Sequence, residues 1–135
     1  MASGIYNRFK ANILNKVVDC EADTIKVALL NDSHSFTATN TKWSDVSANE
    51  ISGTGYTAGG VDLANKSVTE AATTKFDSDD ASWASATFSC YHAVIYDDTI
   101  ADDELICSLD FGGAQSVVSG TFTIQWASEG IITLA

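Results

Sequence analysis

Hydrophobic and polar residues alternate along this chain with two different periods. Over residues 5–17 the interval is four: Ile5, Phe9, Ile13 and Val17 recur at that spacing, and Tyr6 and Leu14 widen the stripe. Such a stripe predicts one amphipathic helix, and Ser3 is placed to cap its start. From residue 24 the period becomes two. Within Thr24–Leu30, residues Ile25, Val27 and Leu29 fall on one face, as in a half-buried strand. Residues 31–41 are polar and loop-like, and Trp43-Ser44-Asp45-Val46 suits a single helical turn. Gly53, Gly55, Gly59 and Gly60 punctuate a Thr/Tyr segment, as where another backbone comes close. Val61–Val68 and Thr74–Phe76 predict two more strands. Ala86–Tyr96 is the longest alternating run, Asp97–Asp103 an acidic turn, and Leu105–Phe111 alternates again. Thr121–Trp126 and Ile131–Leu134 read as a hairpin around Glu129-Gly130.

One helix followed by many short strands predicts a mainly β protein: an antiparallel β-sandwich or barrel-like fold with one N-terminal amphipathic helix. A length of 135 residues fits a single β-rich domain, with residues 1–18 as the helix and 24–135 as the sandwich. A chain of this size buries about two thirds of its unfolded surface, enough for a real core. Proline is absent, which removes one usual guard of exposed sheet edges. Unguarded edges are expected to be protected by charge or paired with a neighbouring subunit.

Charge narrows the function classes. The chain carries 18 acidic and 7 basic residues, a net charge of −11. That balance argues against binding nucleic acid, which needs a basic face, and against docking on an anionic membrane. The acids are unevenly spread. Residues 1–26 hold four basic groups against three acids, whereas 27–135 hold three against fifteen. From Phe76 to Asp110 there are nine acids and no Lys or Arg. A module that anchors through its N-terminal segment and presents an acidic, solvated side fits this asymmetry. The first ten residues lack the apolar core of a signal peptide, and no apolar run approaches the ~18 residues of a membrane helix, so synthesis and folding in a cytosol are expected.

Candidate chemistry is sparse. Cys20, Cys90 and Cys107 match no zinc spacing. Cys90 alternates with Phe88, Val94 and Tyr96, and Cys107 with Leu105, Leu109 and Phe111, so both are expected as buried thiols on apolar strand faces. A Cys90–Cys107 disulfide and an intersubunit disulfide through Cys20 are the oxidised alternatives. Cys20 lies among Asp19, Glu21 and Asp23, whose charge should raise its pKa. His34 sits in a polar loop. His92 shares a strand face with Cys90, but side chains at i and i+2 stand about 6.5–7 Å apart, beyond proton-transfer distance. No nucleophile elbow, Walker loop, zinc-protease or dinucleotide fingerprint is present. Asp77-Ser78-Asp79-Asp80, Asp97-Asp98 and Asp102-Asp103-Glu104 offer oxygen ligands without EF-hand spacing, and read as solvated loops, with calcium as the alternative. Neither cofactor nor metal is expected. Trp126 alternates with Phe122 and Ile124 as a core residue, while Trp43 and Trp83 follow polar stretches and read as core or loop-anchoring rings, with exposed sugar-stacking surfaces as the alternative.

Several segments taken together carry a resemblance. They are Ile5-Tyr6-Asn7-Arg8-Phe9-Lys10, Asp23–Leu30, Trp43–Ser47 with Asn49-Glu50, Gly53–Gly60, Ala93–Asp98 and Phe122–Trp126. In order and spacing this set resembles a family of small virion structural proteins of tailed bacteriophages, encoded among head and tail genes. The resemblance implies a non-enzymatic part of the capsid exterior: a decoration or cement protein, homo-oligomeric as a dimer or trimer, partnered by the major capsid protein or another virion protein. A neck, tail or head-fibre component is the alternative, and a carbohydrate-binding adhesion module a second. On this reading Ile5, Tyr6, Phe9 and Ile13 serve as core or interface, and Arg8 and Lys10 contact an acidic neighbour. Removing residues 1–16 is then expected to abolish binding to the shell.

Overall fold

The computed structural model describes residues 3–135. In chain order the elements are β1 (Gly4–Ile5), α1 (Asn7–Leu14), β2 (Ile25–Leu30), β3 (Val61–Asp62), β4 (Ser67–Thr69), β5 (Thr74–Asp77), β6 (Ala81–Asp97), β7 (Glu104–Ile124) and β8 (Ile132–Leu134). They form two antiparallel sheets, one of five strands in the order β1-β7-β6-β2-β3 and one of three in the order β4-β5-β8. Strand occupies 46% of the chain; the layout is sandwich-like, and the sheets do not close into a barrel.

The two faces of the five-stranded sheet are covered by different material. One face packs on the three-stranded sheet and α1, through Val27, Leu29, Trp83, Phe88, Cys90 and Ile95 against Phe9, Phe76 and Ile132. The other face carries Ala28, Leu30, Val94, Tyr96 and Leu105, covered by Tyr6 and the long 31–60 connection. Trp43 stacks on Tyr96 with ring centroids 4.8 Å apart, and Phe36 tilts onto Tyr6 at 5.0 Å. This explains why β2 is buried on both sides although its strongest alternation marks only one. The connection is held by Glu50, whose carboxylate accepts from the Tyr56 hydroxyl (2.6 Å) and the Gly59 N–H (2.7 Å). Gly60, at φ +85°, lets this segment lie against β2; a Cβ there would overlap the Val27 carbonyl.

Four expectations are corrected. The helix is eight residues, Asn7–Leu14, not 5–17 or 1–18. Ile5 is instead a strand residue opposite Cys107, and Tyr6 is extended, its N–H donating to the Ile106 carbonyl at 3.0 Å. Ser3 is not a helix cap; its hydroxyl accepts from the Asp110 N–H at 2.8 Å. At the other end Lys16 adopts a left-handed conformation, φ +59°. Its N–H reaches the Ile13 carbonyl and that of Val17 reaches Asn12, a Schellman stop that the apolar spacing does not reveal. Second, Val61–Val68 is not one strand. It splits into β3, paired with β2, and β4, paired with β5 in the other sheet.

Third, Thr121–Trp126 and Ile131–Leu134 do not form a hairpin. Residues 121–124 continue β7 alongside β6, with Ala81 opposite Ile124, and β8 pairs with β5. Fourth, the faces of β6 and β7 change parity at bulges. The register slips between Cys90 and His92 and between Ile95 and Tyr96. Cys90 therefore shares a face with Ala93 and Ile95, not with Val94 and Tyr96. Ile106 is the extra residue opposite the second slip, so Leu105 and Cys107 belong to opposite faces. One inserted residue turns every later side chain over.

Candidate functional site

A concavity lies where the end of α1 and its connector meet the three-stranded sheet. It is a groove of about 430 Å³, lined by Ile13, Val17, Val68 and Leu134 over a floor of Phe9 and Phe76. Val17, Val68 and Leu134 are 46%, 43% and 52% exposed, and Leu14 on the adjoining turn is 86% exposed. Only one other large hydrophobe is exposed among the described residues, so the apolar surface is concentrated here. Lys16 and Lys75 also line the groove, facing Asp19 and Glu21 on the connector. The Lys75 ammonium donates to the Ser128 carbonyl at 3.1 Å. The site exists because the Schellman stop ends the helix before its stripe does: Phe9 turns into the core, while Leu14 and Val17 lie beyond the last buried turn.

The N-terminal residues singled out by sequence divide between two roles. Tyr6 and Phe9 are buried inside this chain, at 0% and 3% exposure. Ile5 and Ile13 are half-buried against the main core, and Ile13 borders the groove. Arg8 lies 3.5 Å from Glu104, and Asn12 one turn later donates to the other oxygen of the same carboxylate. Lys10 is exposed. Tyr6, Phe9 and Ile13 therefore supply core side chains, so removal of residues 1–16, the first two of which lie outside the described residues, tests folding before it tests binding.

Two histidines separated in sequence meet behind the sheet. The bulge after Cys90 turns His92 away from it, toward the loop layer, so the two do not share a face. There the His34 ring stands edge-on to His92, centroids 5.0 Å apart, and its Nε2 lies 2.9 Å from Ser108 Oγ. Burial, then His92, pushes His34 down to about 4, with Asp110 opposing. A serine hydroxyl beside an imidazole has the elements of an activated nucleophile. Here Ser108 is 1% and His34 4% exposed, so the pair is sealed from any substrate. His34 reads as a loop residue because nothing local marks its burial; the signal lies in the 31–60 connection folding over β6.

A buried carboxyl closes β6. Asp97 is 0% exposed. Its Oδ1 accepts from the Thr99 and Ile100 N–H groups at 2.9 and 3.3 Å, which caps the acidic turn. Its Oδ2 has no donor, and its neighbour is Asp23. Neighbouring carboxylates repel, so the buried one holds its proton more tightly. Burial, then Asp23, accordingly pushes Asp97 up to about 7. The Cys20 thiol is pushed up to about 11, first by burial and then by Asp97 and Asp19. Its carboxylates act in the expected direction, but burial is the larger cause. Cys90 and Cys107 are buried, each raised to about 12 by burial first, and all three cysteines are free thiols.

The remaining candidates are absorbed by the fold. Trp83 is 3% exposed, in an aromatic cluster with Phe88 and Phe122, a core ring and not the alternative sugar-stacking surface. Trp43 gives one ring face to Tyr96. Trp126 is half-buried, its indole N–H donating to the Asp79 carbonyl at 3.0 Å. In the 77–80 loop, Asp80 accepts from the Trp126 N–H and Asp77 from the Ser78 N–H. Among the described residues no three His, Cys, Asp or Glu side chains gather as a metal-holding group, and no helix is long and apolar enough to cross a membrane. Compared with protein-family models, curated proteins and solved structures, the chain matches none.

Proposed function

We propose that this protein is a virion structural protein of a tailed bacteriophage, a decoration or cement protein that binds the outer capsid surface and stabilises the shell. The observation that carries the reading is the apolar groove between α1 and the three-stranded sheet. It places exposed Val17, Val68 and Leu134 beside Leu14 and the basic residues Lys16 and Lys75, on a molecule of net charge −11. An apolar patch rimmed by charge marks an interaction surface. The sequence resemblance supplies the partner, a subunit of the major capsid protein, and the groove supplies the means: burial of apolar area, with Lys16 and Lys75 meeting its carboxylates. The acidic remainder faces solvent, where it limits association between particles. Copies act as a homo-oligomer that bridges neighbouring shell subunits.

The test uses purified shells lacking the protein. Leu14→Glu with Val17→Glu should cut occupancy at least tenfold while the melting temperature stays put, because both side chains are already exposed. Undiminished occupancy would overturn this docking face. A copy number in proportion to shell subunits supports decoration; a number matching a single ring at one vertex would assign the chain to the neck or a head fibre instead.

A further inference from the structure

The outer side of β7 is a long free strand edge among the described residues. β1 covers β7 only at Cys107 and Ser108. From Phe111 to Ile124 no other strand among the described residues lies on that side, while β6 pairs with the inner side as far as Ile124. Free strand edges are usually blunted by lysine, proline or inward charge. This one has none: residues 111–128 contain no Asp, Glu, Lys, Arg or Pro. Its residues include Val117, Val118, Thr121, Phe122 and Thr123, types that favour strands. Val118 is 78% exposed in the middle of the run.

Charge selects the occupant. The chain holds 18 acids, and nine of them fall between Phe76 and Asp110, so two copies repel across most approaches. Along the β7 edge from Phe111 to Ile124, and on to Ser128, that repulsion has no source in the segment's own side chains. A strand edge is also complementary to itself, since an antiparallel copy related by a two-fold axis presents carbonyls to amides in both directions. We infer that two copies of this chain pair through the Gln115–Ile124 edges of β7, antiparallel, with the two-fold axis near Val118, joining their five-stranded sheets into one. The bulge at Ser119, φ +47°, limits the shared ladder to short stretches on either side of it. This rests on the homo-oligomer part of the proposed function and not on shell docking, so it is tested on the chain alone.

Sedimentation equilibrium of the full chain should show a monomer–dimer equilibrium that tightens with added salt, as screening relieves repulsion between acidic copies. Val118→Lys, alone and with Thr121→Lys, should weaken the dimer at least tenfold, with the melting temperature of the dilute monomer unchanged. Leu14→Lys in the groove should leave it intact. Amide hydrogen exchange should be slower for residues 115–124 in the dimer than in the Val118→Lys variant. A monomer at the highest soluble concentration overturns the inference. So does a dimer indifferent to both edge lysines, or one broken by Leu14→Lys, which would place the contact in the groove. A trimer also overturns it, because a two-fold pairing of one edge cannot close three copies.

Discussion

Replacing Asp97 by asparagine should make the protein more stable at pH 8 and leave it nearly unchanged at pH 4. Asparagine has the same shape, keeps an oxygen to accept from the Thr99 and Ile100 N–H groups, and turns an amide donor toward Asp23. It thus imitates the protonated acid at every pH. In the wild type the folded value, about 7, lies above the ordinary 3.8. A carboxyl raised on folding contributes stability that is complete below the unfolded value and is lost as pH rises through the folded one. At about 1.4 kcal/mol per pH unit the gap amounts to at most about 4 kcal/mol, a large fraction of the roughly 5–15 kcal/mol that holds a domain together. Urea unfolding of both proteins at the two pH values measures it. The midpoint difference should be near zero at pH 4 and several-fold larger at pH 8, with the slope unchanged. An equal gain at both pH values, or a loss at pH 8, would refute the raised proton affinity of the buried Asp97 carboxyl.

Further expectations follow from other sites. His34 runs the opposite way: its folded value, about 4, lies below 6.5, so stability present above pH 6.5 is lost as pH falls toward 4, by at most about 3 kcal/mol. In an Asp97→Asn background, where the opposing slope is absent, adding His34→Gln should flatten urea midpoints between pH 6.5 and 4. Lys16→Gly should raise the melting temperature, since the left-handed stop costs a lysine about 1 kcal/mol; an unchanged or lowered value would show that the lysine side chain contributes more than the strain removes. Gly60→Ala should destabilise by at least about 2 kcal/mol in the same assay, because the new Cβ meets the Val27 backbone at positive φ.

What could be read from the sequence depended on whether the signal was local. β2 was legible because Ile25, Val27 and Leu29 keep one parity and meet Ile95 and Ala93 without a slip. The 98–103 turn was legible because acidic residues interrupt two apolar runs. The parity of β6 and β7 was not, because the slip at Ile95/Tyr96 adds Ile106, one more apolar residue in an apolar run, and nothing local marks it. The helix end was hidden because a lysine stands at a left-handed position that glycine usually fills. The groove was half legible. Ile13 on α1 and Val17 just beyond its end lie on the predicted stripe, while Val68 and Leu134 reach it through a sheet whose strands come from distant segments. The His34–Ser108 contact spans 74 residues and depends on a loop folding back, so no window along the chain contains it.

The most direct measurement is a count of this chain on intact, purified phage particles by quantitative mass spectrometry against the major capsid protein. The account predicts a fixed ratio to shell subunits, reproduced between preparations and lowered by Leu14→Glu with Val17→Glu. Mature particles free of the chain would contradict it.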